Sequence, residues 1–240
     1  MKYSKYNLKD VKEASAQNKF SVISTFAGGG GSSTGYRLAG GNILCVNEFV
    51  EQARITYKEN YPDTIIMPDD IKQLTGKDFL ETAGIQKGEL DILDGSPPCS
   101  AFSMCGTLGQ SGSKHSDGWG KTKKYSDGKI VENIRDNLYG PILLSNICSQ
   151  KNIHFTYLGT GCIFKFDEDH PFGKEENGFT ENALPNFFGS SYSVVKGYTD
   201  RLIKLYDKNV LNLRIRMPIT GNKHPRNFIT KITSYEKVCS

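Results

Sequence analysis

The sequence predicts an α/β fold, a Rossmann-like parallel sheet with flanking helices. Three observations predict it. Short β-branched and aromatic runs alternate with helix-like stretches. The first run meets a glycine cluster that opens a helix, and several runs end in acids or turn residues, where parallel sheets carry their sites. The 240 residues suffice for one large domain or two small ones. With 37% hydrophobic residues, 23% charged residues and 25 glycines at no three-residue period, collagen is excluded and a soluble, glycine-rich enzyme fits.

Residues 20–26 are the first strand; the glycines Gly28 to Gly31 turn the chain into a helix that begins by Thr34. Residues 42–46 form a second strand ending at Glu48, and a helix over 50–60 stops at Tyr61-Pro62-Asp63. A short strand at 64–67 runs into Asp69-Asp70-Ile71, and another at 90–93 is closed by Asp94-Gly95-Ser96-Pro97-Pro98-Cys99. Residues 105–129 read as a long loop with the lone Trp119. A helix over 131–150, a strand at 153–158, a further loop, a helix over 192–207 and a strand at 210–217 follow, the last stopped by Pro218.

Charge divides unevenly. The chain has 30 basic and 26 acidic residues, but residues 1–127 hold 15 of each, so the surplus lies in the second part. The last forty residues carry nine Lys or Arg against two acids, which reads as a phosphate-attracting face or as a solvated helix and tail. The six cysteines fall at no zinc-ligand spacing and predict free thiols and no metal. No run approaches the roughly 18 apolar residues of a membrane span, and the polar start has no signal-peptide core. A cytoplasmic protein without membrane contact is expected.

Two constellations carry chemistry. In the first, Phe26, Gly28 and Gly30 lie in a strand-to-helix turn where backbone amides meet a ligand, Glu48 could accept both hydroxyls of a ribose, and Asp70 could meet an adenine edge. Each acid alone more often suits a solvated loop. Cys99 follows two prolines on a rigid backbone and suits a nucleophile. Phe26 to Gly35, Glu48, Asp70-Ile71 and the run from Gly95 through Cys99 to Ser103 resemble, in order and spacing, the N-terminal half of DNA cytosine-5 methyltransferases. The resemblance spans residues 18–130. It implies that Cys99 attacks C6 of an extruded cytosine so that C5 takes the methyl group of S-adenosylmethionine. Phe26, Gly28, Gly30, Glu48 and Asp70 would hold that cofactor, with Ser103 near the DNA backbone and Cys105 a bystander. Glu132-Asn133-Ile134 and Asn212-Leu213-Arg214-Ile215-Arg216 imitate the later motifs of that family, and no segment resembles its target-recognition region.

In the second, Tyr192 and Lys196 stand four residues apart on one helix face, where an ammonium makes a phenol a better proton donor. Thr160 follows a strand and supplies either a substrate-positioning or a turn hydroxyl. The text from Tyr157 through Thr160, Cys162 and Phe164, with Asp169-His170-Pro171, Pro185-Asn186-Phe187 and Leu213 to Ile219, resembles the 3,5-epimerase/4-reductase of nucleotide-rhamnose synthesis, an extended short-chain dehydrogenase. That resemblance runs from Ile130 onward. It implies a reduction triad of Thr160, Tyr192 and Lys196, with Lys196 also binding the ribose of NADPH or NADH, and Cys162 as the epimerising acid/base; otherwise Cys162 is a small buried residue. It also makes residues 132–140 the helix that carries Asn137 and residues 213–217 the strand after the catalytic helix. The Gly-x-x-Gly-x-x-Gly loop and first strands of such reductases are replaced by the methyltransferase-like segment.

The expectation is therefore a chimera of residues 1–129 and 130–240. Its leading function is an impaired S-adenosylmethionine-dependent DNA cytosine-5 methyltransferase acting on DNA. The alternatives are a nicotinamide-dependent reductase fragment acting on a nucleotide-sugar, or a non-catalytic fusion. The oligomeric state is not readable.

Overall fold

The computed structural model describes residues 6–97, 130–173, 175–206 and 208–215. The chain divides into two units, Met1–Cys99 and Ser100–Ser240. Each carries a parallel sheet with helices around it, the α/β arrangement expected.

The first unit runs α1 (Leu8–Ser15), β1 (Phe20–Thr25), α2 (Gly31–Leu38), β2 (Gly41–Asn47), α3 (Glu51–Asn60), β3 (Ile65–Met67), α4 (Gly76–Ala83) and β4 (Ile92–Gly95). The sheet order is β3-β2-β1-β4, with every pair parallel. Successive side chains of β1 face opposite sides. Val22 joins Val11, Val46, Tyr57 and Tyr61 on one face, while Ile23 joins Cys45, Met67 and Phe79 on the other. In β2 the partner of β1 jumps from Ile43 to Cys45, so Leu44 is an inserted residue and Ile43 and Val46 reach the same face.

Two helices of this unit had no counterpart in the sequence reading. Both are held by reciprocal caps: Asn7 accepts the Asp10 amide while Asp10 accepts the Asn7 amide, and Thr75 pairs with Asp78 in the same way. Val11 turns the first of these otherwise polar helices onto the core.

The second unit runs α5 (Ile130–Ile134), a π-helical turn (Arg135–Tyr139), α6 (Gly140–Gln150), β5 (Phe155–Thr160), α7 (Ser191–Ile203) and β6 (Val210–Ile215). β5 and β6 are parallel, with Thr160 opposite Ile215. The single helix expected over 131–150 is interrupted at the π turn. The cause is Pro141, which has no N–H for the carbonyl four residues back, that of Asn137, and whose ring crowds it. Thr199 Oγ1 of α7 donates to that carbonyl instead, at 2.5 Å. The helix expected over 192–207 is regular to Ile203 and tightens to a 3-10 turn over Lys204–Tyr206.

Candidate functional site

In the first unit the turn after β1 and the ends of β2 and β3 converge on one cleft. Phe26, Gly28 and Gly30 all have positive φ, at 55°, 56° and 95°. Gly28 N donates to Glu48 Oε2 at 2.8 Å, and Val50 N donates to Glu48 Oε1 at 2.8 Å. Glu48 is buried, so its carboxylate is fixed at the end of β2 by one amide on each oxygen. Asn47 Nδ2 ties this strand end to the next by donating to the carbonyls of Met67 and Asp69. Asp70 caps the turn Ile71–Gln73 by accepting the Lys72 amide at 3.0 Å.

The cleft is about 180 Å³ and is lined by Phe26, Glu48, Phe49, Val50, Asp70 and Ile71 together with Asn47 and Ser96. The structure thus brings Phe26, Glu48 and Asp70 to one place. Phe49 is 60% exposed beside Glu48, an apolar face that sequence reasoning missed; its signal was a bulky aromatic directly after the strand-end acid. Gly30 also has a packing role. A Cβ there would stand 3.0 Å from the Tyr61 ring and 3.2 Å from that of Tyr57, so this glycine admits core aromatics. Around Gly28 a Cβ would meet nothing within 4 Å. These residues fit an adenosyl group: a fixed carboxylate for a diol, apolar walls for a purine, and open backbone at the turn. Cys99, Ser103 and Cys105 lie outside the described residues; the chain leading to Cys99 is anchored where Ser96 N donates to Thr25 O at 3.3 Å.

In the second unit Thr160 closes β5, and its Oγ1 accepts the Cys162 amide at 3.1 Å, a turn hydroxyl at a strand end. Cys162 is exposed, which corrects its reading as a buried filler, and its thiol is free. Ser193 Oγ of α7 donates to the Cys162 carbonyl at 2.9 Å, tying the helix that carries Tyr192 and Lys196 to the loop that carries Cys162. Tyr192 is half-buried in the first turn of α7, and Lys196 is 8% exposed.

Lys196 Nζ donates to the phenol oxygen of Tyr157 and stands 4.6 Å from that ring's centroid, against 6.0 Å from the centroid of Tyr192. Burial pushes the Tyr157 phenol well above the usual range, and Tyr192 and Asp200 add to the effect. Sequence spacing could not reveal Tyr157, because its contact with Lys196 crosses 39 residues.

Asn212 and Arg214 hold Asp200. Arg214 makes a two-pronged ion pair with Asp200 at 2.7 and 2.8 Å, and Asn212 Nδ2 donates to the same carboxylate. Arg214 also donates to the carbonyls of Glu181 and Ala183, bracing the loop before α7. Asn133 is buried inside α5 and accepts from Asn137 Nδ2 at 3.1 Å, so the Glu132-Asn133-Ile134 text is helical. Among the described residues no group of three or more His, Cys, Asp or Glu could hold a metal ion, and no helix is long and apolar enough to cross a membrane.

Comparison with known proteins finds two kinds of relative. Residues 20–122 match the family model of C-5 cytosine-specific DNA methylase. The type II methyltransferase M.AgeI of Thalassovita gelatinovora is 39% identical over 85 residues, 35% of this chain and 20% of that protein. The bifunctional dTDP-4-dehydrorhamnose 3,5-epimerase/dTDP-4-dehydrorhamnose reductase of Arabidopsis thaliana is 49% identical over 109 residues, 45% of this chain and 36% of that protein. Protein L780 of Acanthamoeba polyphaga mimivirus is 65% identical over 113 residues, 47% of this chain and 38% of that protein. The crystal structure of L780, described as a UDP-rhamnose synthase, aligns with a TM-score of 0.43 and 46% identity, covering 68% of this chain and 58% of that one. The matched stretches span well under half the length of these curated relatives. The chain thus contains a stretch that matches the model of C-5 cytosine-specific DNA methylase and a stretch similar to the epimerase/reductases of rhamnose synthesis.

Proposed function

We propose that residues 1–129 act as the catalytic half of an S-adenosylmethionine-dependent DNA cytosine-5 methyltransferase, with the cofactor in the Glu48 cleft and Cys99 as nucleophile. The observation that carries this reading is the buried Glu48 carboxylate, held by the Gly28 and Val50 amides in a cleft walled by Phe26, Phe49 and Ile71. Each oxygen accepts one amide and keeps a lone pair, enough to take the two hydroxyls of a ribose. Phe49 and Ile71 suit the faces of a purine, and Asp70 keeps one oxygen for its amino group. The cofactor, when bound, supplies an electrophilic methyl group. Cys99 would add its sulfur to C6 of an extruded cytosine, which makes C5 nucleophilic, and would leave again when the C5 proton is lost.

The equal balance of acids and bases over residues 1–127 gives this half no positive field for the phosphate backbone. We infer weak DNA affinity and low turnover. The test is covalent capture on DNA bearing 5-fluorocytosine in the presence of S-adenosylmethionine. A trapped complex that disappears in Cys99→Ser is expected; equal trapping by that variant would overturn the assignment of the nucleophile.

A second reading is favoured by one observation, the buried Lys196 lying between the rings of Tyr157 and Tyr192. Residues 130–240 would then be a nicotinamide-dependent reductase fragment for a nucleotide-sugar, with Thr160, Tyr192 and Lys196 around the keto oxygen and Cys162 exchanging the neighbouring proton. Lys196 and Tyr192 fit the ribose side of such a cofactor. The described residues of this unit hold no glycine-rich strand-to-helix turn for its pyrophosphate, so no hydride step is derived. Oxidation of NADPH with a nucleotide 4-keto-6-deoxy sugar, lost in Tyr192→Phe, would support this reading, and no turnover at saturating cofactor would remove it. Absence of both activities would leave a non-catalytic fusion.

A further inference from the structure

We propose that Tyr157 is the positioning residue of the second unit's site: its phenol oxygen holds the charged Lys196 against the Tyr192 end of α7. The inference deepens the reductase reading and rests on it for its functional meaning. Three observations carry it. The Lys196 ammonium donates to the Tyr157 oxygen; it stands closer to the Tyr157 ring than to the Tyr192 ring, at 4.6 against 6.0 Å; and it is 8% exposed, so water does little of the holding. A buried ammonium is costly unless acceptors and π faces replace its hydration. Tyr157 offers such an acceptor from β5, three residues before Thr160, and so ties the lysine to the strand that ends in Thr160.

The chemistry follows from a division of labour between two phenols. Burial keeps the Tyr157 phenol protonated beyond the pH at which an ordinary tyrosine ionises. It therefore stays a neutral acceptor toward Lys196, and the lysine's charge is left to act on Tyr192 and on a ribose hydroxyl. A Tyr157 that ionised beside the ammonium would cancel that charge. Tyr157 thus acts through Lys196 and needs no contact with the reacting atoms.

The test separates the oxygen from the ring. In the full chain labelled with ¹³Cε-lysine, the Lys196 resonance is identified by its absence in Lys196→Arg and titrated in wild type, Tyr157→Phe and Tyr157→Leu. Loss of the acceptor removes support for the charged form, so Tyr157→Phe is expected to lower the Lys196 pKa by about one unit with little change in melting temperature. Tyr157→Leu, which lacks the same acceptor, should lower it as well. A ring that only packs would leave the Phe variant titrating like wild type, and that result overturns the proposal even if the Leu variant fails to fold. A parallel calorimetric titration of the wild type with NADPH decides the reductase reading separately. Lack of binding alongside a lowered Lys196 pKa in Tyr157→Phe would sustain the positioning role and remove the reductase reading.

Discussion

Glu48 shows how one side chain can both build a site and serve it. Its oxygens stitch the turn after β1 to the start of α3 through Gly28 and Val50, so the group proposed to bind the ribose also fixes the loop facing it. Glu48→Gln replaces one acceptor with an NH₂ that opposes a backbone N–H, and a buried donor left unpaired costs about 1–3 kcal/mol. The expected outcome is a fall of about tenfold or more in affinity for S-adenosylhomocysteine, read by calorimetry. The site was partly legible at this scale. Phe26, Glu48 and Asp70 were placed by their positions at strand ends, a matter of local order along the chain. The packing role of Gly30 was not legible because what fills the space beside it, Tyr57 and Tyr61, is supplied from about thirty residues downstream. Tyr157 was missed for the same reason: its partner is on another element, and no spacing rule connects a strand residue to a helix 39 positions later.

The elements show where periodicity suffices and where it fails. The strands of the first unit were found within a residue or two because each is a short apolar run with a turn at its end. α1 and α4 were missed because each is only eight residues long, too short for a clear period, and is stabilised locally by its cap. The π turn at Arg135–Tyr139 was foreshadowed by Gly140-Pro141, but its compensation was not, since Thr199 lies 62 residues from Asn137. Thr199 is fully buried, and Thr199→Val removes the donor that answers the Asn137 carbonyl. A loss of about 1–3 kcal/mol is expected in the unfolding of this unit, followed by near-ultraviolet circular dichroism.

The loop before α7 has its own clamp. Asp167 accepts from the His170 backbone amide and lies 2.8 Å from His170 Nδ1, Asn186 donates to its other oxygen, and the imidazole stacks on Phe179. The His170 side chain, with Asn186, holds the Asp167 carboxyl below the usual range. A depressed folded pKa means that the clamp's contribution is complete above about pH 4, the unfolded value, and is lost as pH falls through the folded one. Ring resonances of Phe179 should therefore shift as pH falls below about 4. The shift should be absent in Asp167→Asn.

At the scale of the whole molecule the units differ in how much core they own. In the first, the residues buried on the two sheet faces include Val22, Ile23, Cys45, Val46 and Tyr57. In the second, the buried apolar residues among those described are Ile163, Val195 and Ile203, while Leu158, Leu211, Leu213 and Ile215 of its two strands are exposed. Parallel strands are ordinarily covered on both faces, so a two-stranded parallel sheet with exposed leucines is weakly held. Amide hydrogen exchange should accordingly be slower in β1 and β2 than in β5 and β6, and equal protection would contradict this ordering. The α/β class was readable from alternating patterns in both parts. The uneven core was not, because burial depends on which elements are present to cover a strand and not on the strand's own sequence.

A methyltransferase activity requires that the first unit form a cofactor site. The most direct measurement is a calorimetric titration of the full chain with S-adenosylhomocysteine, with the fold checked by circular dichroism in the same buffer. Saturable binding of one equivalent, weakened in Glu48→Gln, is predicted. A folded chain that takes up no S-adenosylhomocysteine at any accessible concentration would contradict it.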